Sequence, residues 1–568
     1  MTSTWLDATH RRLWRLGGES GSLCEVQAGA RQLAAGVGEQ IRLVRERNVC
    51  GWTAKKAELL AALDNADFIS AMASSAPPAA VSLGLVLYEL AARDGGLATL
   101  CLSRFLAQMP IADFGTAEQK DRYASGKELL HGALCLTEPI PGAGAEALLL
   151  TGRYRPAGDA NTLAIEIDKR GRFTSHMEFA EFVVAAVEGA GGARGSALVI
   201  LEPGDAGEFD RGAPASKIGH RIASATDPSF RLRVPVSRIV GGYTMEEGVL
   251  RPNFNHRQLL EPALGRARAL LALMTAAKAL SAAADLLPGP GCDAPHFWLQ
   301  MADLWAAGEA AASLGFLAAR RCDGLDARRA SDPAANLFSP AAKLFASTRI
   351  APALSRVAAA AGAGGGELYA QIADAQVEAV YMGPEASQRR LIAAAMTAET
   401  FAAKVDAWID ELEGLKCNAP AAKNLAAGCR LWLKTLCALQ EEAGSRSNGV
   451  FHGAGQAAEF AMADALCALL AARSLLADAA ELAASAAHED AWIVEDLVRL
   501  ASAQAVSQAV ESSIGLICGG SRGALPAGSE RELAALRARA CAGLTGFQYA
   551  RERVAGFLSK RDRKIEPE

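Results

Sequence analysis

Aromatic residues make up only 6% of the 568-residue chain, and no excess of one charge stands out: 58 basic side chains face 63 acidic ones, for a net −5. That near-balance removes the positive field that nucleic acid or an anionic membrane surface needs, so a nucleic-acid partner is excluded. Paired cysteines are missing too. The twelve cysteines, Cys24, Cys50, Cys135 and Cys417 among them, stand singly, with no C-x-x-C spacing and no histidine cluster beside them. They give neither a disulfide frame nor a metal-ligand set, and they read as thiols buried in a reducing cytosol. No uncharged apolar run reaches the length of about 18 residues that a spanning helix requires. Even the alanine-rich run from Ala267 to Leu287 carries Arg268 and Lys278. The start, Met1-Thr2-Ser3-Thr4-Trp5-Leu6-Asp7, has no basic stretch leading into an apolar one. The sequence therefore predicts a cytoplasmic protein without a spanning segment.

What is present is a 51% hydrophobic, 21% charged chain, the composition of a soluble globular protein of about three or four domains. Alanine and leucine recur at helical spacing from about 20 to 130, interrupted at Ala76-Pro77-Pro78 and Gly95-Gly96. Between 132 and 245 the texture changes to short runs such as Thr162 to Ile167, Phe182-Val183-Val184, Ala197 to Leu201 and Phe230 to Val234, with Gly-rich turns between them. Such runs read as strands. Helical periodicity then returns to the end, broken at Pro288-Gly289-Pro290-Gly291 and at Gly364-Gly365-Gly366. The predicted class is α+β, mostly α: an N-terminal helical domain (1–131), a small middle β domain (132–245), a C-terminal four-helix bundle (246–400) and an extra helical domain (401–568). The two later helical stretches echo one another. Met301-Ala302-Asp303 and Gly364 of the first answer to Met462-Ala463-Asp464 and Gly519 of the second, either a decayed duplication or shared composition.

Several segments resemble the acyl-CoA dehydrogenase family. Cys135-Leu136-Thr137-Glu138-Pro139-Ile140-Pro141-Gly142-Ala143-Gly144-Ala145-Glu146 is similar to its C-x-T-E-P-x-A-G-S-D segment with two residues inserted. Phe114-Gly115-Thr116-Ala117-Glu118-Gln119-Lys120 resembles its F-G-T-E-E-Q-K junction, Lys217-Ile218-Gly219-His220-Arg221 its K-L-G-x-R turn, and Val234-Pro235-Val236 its V-P-V segment. The resemblance implies FAD held between the β domain and the helices, with an acyl-CoA thioester against the flavin ring. Leu136 and Thr137 match positions that meet the ring. Phe173 and Ser175 fall where the family has a covering aromatic and a hydroxyl at the reactive edge. Taken alone, Thr137 reads equally as a strand-end cap and Phe173 as a core aromatic.

The pattern breaks where the chemistry is done. Removing the α-proton of an acyl thioester needs a carboxylate base, which the family keeps in a Y-E-G-T loop. Here the loop reads Tyr381-Met382-Gly383-Pro384-Glu385, followed by Gln388-Arg389, and the thioether of Met382 cannot accept a proton. Glu385 is one substitute, its alternative being a solvated carboxylate at a helix start. His256, just before Arg257, is the other, its alternative being a polar helix-start residue. Arg257, Tyr381 and Met382 are the expected substrate contacts. The arginine of the family's R-x-x-F-G turn, which reaches the FAD pyrophosphate, is missing from Asp285-Leu286-Leu287-Pro288-Gly289. So is the glutamine before its Gly-rich turn, and Ala145 replaces a serine. The extra domain resembles that of long members of the family, which implies a homodimer. The expected function is an FAD-dependent oxidoreductase on an acyl-CoA thioester, passing electrons to an electron-transfer flavoprotein. Two alternatives are a non-catalytic homologue that supports a partner subunit and an oxygen-using flavoenzyme.

Overall fold

The structure is a computed structural model. It describes residues 20–38, 41, 54–66, 79–125, 130–139, 150–157, 163–285, 294–327, 336–362, 366–444, 456–485, 491–519 and 529–562. Ile140 to Glu146, Pro288 to Gly291 and Gly364-Gly365, which carried part of the sequence argument, lie outside the described residues.

Among the described residues, five helices precede the sheet: α1 (Ser20–Gly36), α2 (Ala54–Asp64), α3 (Ala80–Arg93), α4 (Gly95–Phe114) and α5 (Ala117–Tyr123). The Asp94 carboxylate caps α4 by accepting from Leu97 N–H at 2.9 Å. Thr116 and Gln119 form a reciprocal capping box on α5, which satisfies backbone donors that a helix start leaves over. The Gln119 amide then donates to the Ser237 and Ile239 carbonyls at 2.8 and 2.7 Å. The F-G-T-x-E-Q-K junction is thus the seam between the first helices and the β domain.

The β domain holds a seven-stranded sheet in the order β1-β5-β2-β3-β9-β7, with β6 also paired to β5. Its strands are β1 (Gly132–Cys135), β2 (Arg153–Ala157), β3 (Ala164–Arg170), β5 (Phe182–Gly189), β6 (Ser196–Leu201), β7 (Ala206–Asp210) and β9 (Ser229–Pro235). Two small pairs flank it: β4 (Thr174–Ser175) with β8 (Ala225–Thr226), and the hairpin β10 (Tyr243–Glu246) with β11 (Val249–Pro252). Along β3 and β9 buried and exposed residues alternate, whereas β5 and β6 are buried almost throughout. Continuous Val/Ala/Leu runs mark the strands covered on both faces.

Four long or medium helices follow: α6 (His256–Asp285), α7 (Pro295–Asp323), α8 (Phe338–Ala361) and α9 (Gly366–Val380), then α10 (Glu385–Met396). The extra helices are α11 (Phe401–Gly414), α12 (Ala419–Gly444), α13 (Gln456–Ser485), α14 (Ala491–Gly519), α15 (Ser529–Ala542) and α16 (Phe547–Asp562). One apolar cluster runs from α1 through α6, α7 and α8 to α16. The late helices therefore continue the core of the bundle. Trp305 stacks on Phe557 at 6.2 Å, and Arg551 bonds Asp303 at 2.5 Å. Among the described residues one helix segment, Gln456–Glu481, is long and apolar enough to cross a membrane, but 72% of its apolar window is buried inside the fold. A second cluster fills the β domain, and a third lies between the sheet and α4, α5 and α6.

Candidate functional site

The end of β1 delivers the first part of the site. Cys135 is buried, Leu136 half-buried and Thr137 exposed, so the chain leaves the core at the threonine. Glu138 turns back in. Its carboxylate accepts from Thr151 N–H at 2.6 Å, Gly152 N–H at 3.0 Å and the buried Lys169 ammonium. Burial alone would raise its pKa, but Lys169, Thr151 and Gly152 hold it below the usual carboxylate range. The glutamate of the Thr-Glu-Pro segment is therefore an anchor that fixes the Leu136-Thr137 turn, a role with no local signal in the sequence.

The Thr137 carbonyl accepts from Arg172 N–H at 2.9 Å, which sets Phe173 beside it. Phe173 has φ +54 and is 50% exposed, an unusual setting for a large aromatic. Its N–H donates to Asp227 at 3.0 Å, and the Arg172 guanidinium lies 4.9 Å over the ring. Ser175 pairs with Ala225 across β4 and β8. Thr137, Phe173 and Ser175 thus share one edge of the β domain.

The segment from Lys217 to Thr226 ties that edge to the helices. His176 N–H donates to the Ser224 carbonyl at 3.3 Å. The Lys217 ammonium donates to the Ala223 carbonyl and, at 3.1 Å, to the Tyr381 hydroxyl oxygen. Gly219 is needed because a Cβ there would stand 2.4 Å from the Ala373 carbonyl on α9. His220, at φ +50, has its ring buried in a polar network. Nδ1 meets Thr99 Oγ1 at 2.9 Å, Nε2 meets Glu378 at 3.1 Å, and the ring stands edge-on to Tyr381 at 5.4 Å. Glu378 also accepts from Lys278 and, at 2.7 Å, from Thr275. None of these ionisable side chains is more than 1% exposed.

The turn after α9 places Met382 at φ +55 and Gly383 at φ +94. The buried Lys343 ammonium holds it, donating to the Ala379 and Gly383 carbonyls at 3.0 and 2.6 Å. The Gln388 amide donates to Met382 and Gly383 at 3.1 and 2.9 Å. Burial, with Arg268, pushes the Lys343 pKa down to about 7 against the pull of Glu385 and Glu378. Met382 packs against the same apolar cluster as Leu136 and Phe254, between the sheet and the first helices, and against the main helical core as well. Tyr381 is tied through Lys217 to the segment whose Ala225 pairs with Ser175.

Glu385 and His256 have partners of their own. Glu385 accepts from Arg389 at 3.2 Å, and Arg389 in turn bonds Asp464 of α13 at 2.8 and 3.2 Å and lies 5.3 Å over Phe460. His256 has Nδ1 2.6 Å from Ser196 Oγ. Burial, with Arg257 and Lys169, brings its pKa down to about 4, which leaves the ring neutral at pH 7. Arg257 is exposed at the start of α6. Among the described residues no group of three or more His, Cys, Asp or Glu side chains is placed to hold a metal ion.

No protein-family model matches the sequence, and no curated protein does. Solved structures do. An acyl-CoA dehydrogenase complexed with FAD from Bacillus anthracis is 16% identical with a TM-score of 0.78, over 95% of each chain. Butyryl-CoA dehydrogenase from Megasphaera elsdenii is 20% identical with a TM-score of 0.53, over 66% of this chain and 98% of its own. Nitroalkane oxidase from Podospora anserina is 15% identical with a TM-score of 0.52, over 67% and 96%. At these identities the shared property is the fold. The chain has an acyl-CoA dehydrogenase-like fold with N-terminal helices, a middle β domain and C-terminal helices.

Proposed function

We propose that the protein is a flavin-dependent oxidoreductase acting on an acyl-CoA thioester. The observation that carries this reading is the acyl-CoA dehydrogenase-like fold, with Thr137, Phe173 and Ser175 on one edge of its β domain and the Lys217–Thr226 segment linking that edge to Tyr381. The residues present fit a flavin ring. An exposed aromatic face at Phe173 sits beside an exposed threonine hydroxyl and a half-buried serine hydroxyl, which is the combination of stacking plane and edge donors that such a ring takes. FAD, when bound, supplies the hydride acceptor. Thr137 and Ser175 orient the ring edge, Phe173 covers it, and the Lys343 and Gln388 clamps hold the Tyr381-Met382 turn against it. Arg257, exposed at the start of α6, is the proposed contact for the CoA end of the substrate.

An electron-transfer flavoprotein is the proposed electron acceptor, and the cytoplasm the proposed setting. The late helices cover the bundle face through Asp303, Arg551 and Trp305, which supports a homodimer as the assembly. A second reading, a supporting subunit without dehydrogenase activity, is favoured by one observation: Met382 stands at the base position and packs among apolar side chains. The absorption spectrum of the purified protein, followed by anaerobic mixing with acyl-CoA, tests both. Flavin bands that bleach with acyl-CoA support the enzyme. Flavin bands that do not bleach favour the supporting subunit, and a colourless protein removes the flavin reading.

A further inference from the structure

One carboxylate close to the site has no role so far. Glu178 lies in the turn after β4, where Phe179 and Ala180 N–H donate back to the His176 and Met177 carbonyls at 3.2 and 3.4 Å. Both of its carboxylate oxygens are buried without a partner at full hydrogen-bond geometry among the described residues, and the Ser224 hydroxyl is the nearest donor. A carboxylate so placed gains by taking up a proton or by meeting a ligand. Its neighbours are the Ser224 hydroxyl and the ammonium groups of Lys56 and Lys217. Lys56 donates to Ser224, and Lys217 donates to Tyr381 at 3.1 Å. Glu178 is therefore three residues beyond Ser175 in the chain and within the electrostatic reach of the lysine that holds Tyr381.

The other carboxylate near the loop is engaged: Glu385 is bonded by Arg389, which Asp464 also holds. We propose that Glu178 is the proton acceptor of this site, in the role that the Met382 thioether cannot fill. Burial raises its pKa, with Lys56, Ser224 and Lys217 pulling the other way, and a carboxyl displaced upward is a better base than a solvated one. The step is a proton transfer alone. The C–H bond at the α-carbon of the thioester breaks, its proton forms an O–H bond on Glu178, and the electron pair moves into the thioester as the enolate. Reversal in heavy water returns a deuteron to carbon, so the step is visible without any oxidant.

This inference rests on the acyl-CoA reading, and the experiment separates the two. Butyryl-CoA, octanoyl-CoA and palmitoyl-CoA are incubated with the full chain in heavy water, and α-deuteration is followed by proton NMR. The wild type should exchange at least one of them. Glu178→Gln should slow that exchange by about 10²–10⁴-fold while butyryl-, octanoyl- or palmitoyl-CoA binding by calorimetry persists, and Glu178→Asp should recover part of the rate. Exchange at the wild-type rate in Glu178→Gln overturns the assignment and leaves the acyl-CoA reading standing. So does a Glu178→Gln variant that folds but no longer binds, because the residue is then structural. If Glu178→Gln fails to fold, Glu178→Asp decides: a folded aspartate variant with no exchange and no binding also overturns the assignment. A wild type that exchanges none of the three overturns both.

Discussion

Glu378→Ala removes the acceptor at the centre of the buried polar network. In the wild type Glu378 satisfies Lys278, His220 and Thr275 at once, and Lys278 has Met274 O as its further acceptor at 3.2 Å. The alanine leaves the Lys278 ammonium, 0% exposed, without its counter-charge. Breaking a buried pair from one side is worth about 3–5 kcal/mol. For a 568-residue chain with a continuous core, at about 2.1 cal/mol/K of unfolding entropy per residue, that is a fall of about 3–4 °C in the thermal midpoint, read by circular dichroism. Replacing both partners, Glu378→Leu with Lys278→Met, should return most of the loss because no charge is then buried alone. The effect also has a sign in pH. Burial would raise the Glu378 pKa, but Lys278 and His220 outweigh it and hold it below the usual carboxylate range. The pair therefore stabilises fully above the unfolded carboxylate value, and the stabilisation is lost as pH falls through the lower folded value. Wild type should lose more stability in acid than the double variant does. A Glu378→Ala midpoint within the roughly 0.5 kcal/mol range of surface substitutions, or a double variant no better than the single one, would refute the reasoning.

Lys343→Met leaves the Ala379 carbonyl without its lysine donor and the Gly383 carbonyl with the Gln388 amide alone, for a loss of about 1–3 kcal/mol measured by thermal unfolding near pH 7. Because the Lys343 pKa is pushed down to about 7 in the fold from the 10.5 of an ordinary lysine, the unfolded chain binds more protons between those values. Wild-type stability should accordingly gain from this group as pH rises through that window, and the methionine variant should lack that contribution. Met382→Glu returns a carboxylate to the loop. Stopped-flow mixing with acyl-CoA should show faster flavin reduction, and an unchanged rate argues that the loop does not face substrate. Sedimentation equilibrium should give a dimer, and a stable tetramer would contradict the covering role of the late helices.

The parts of this molecule that could be read from the sequence are those whose partners are close in the chain. Thr116 and Gln119 are three residues apart, and their capping box follows from residue type and spacing alone. The alternating runs of β3 and the continuous run of β6 announce one-sided and two-sided burial. Met382 is recognisable as a missing base only through the loop's resemblance. The contacts that decide the site were not legible, because each joins residues far apart: Glu378 reaches Lys278 across 100 residues and His220 across 158, and Arg389 reaches Asp464 across 75. Glu178 gave no local signal, since an orphaned carboxylate becomes visible only when its surroundings are folded around it.

Arg389 explains why a carboxylate at 385 is a poor replacement for one at 382. Its pKa is raised because Asp464 and Glu385 outweigh the burial that would lower it, so the guanidinium is committed to both acids. One of them belongs to the loop that follows Met382, the other to α13. Swinging Glu385 toward the β1 edge would break the 3.2 Å pair and leave Arg389 with Asp464 as its remaining acid partner. The pair is part-buried, so it is worth at least the roughly 0.2–1 kcal/mol of a surface pair, and Glu385 is also in the first turn of α10, where its charge complements the positive end of the helix. Two small terms favour the observed position, and no described contact favours the other. Glu178 has the opposite balance: its carboxylate oxygens are buried with no ion pair among the described residues, next to the strand that carries Ser175, and it gains by accepting a proton where Glu385 would lose by moving to one.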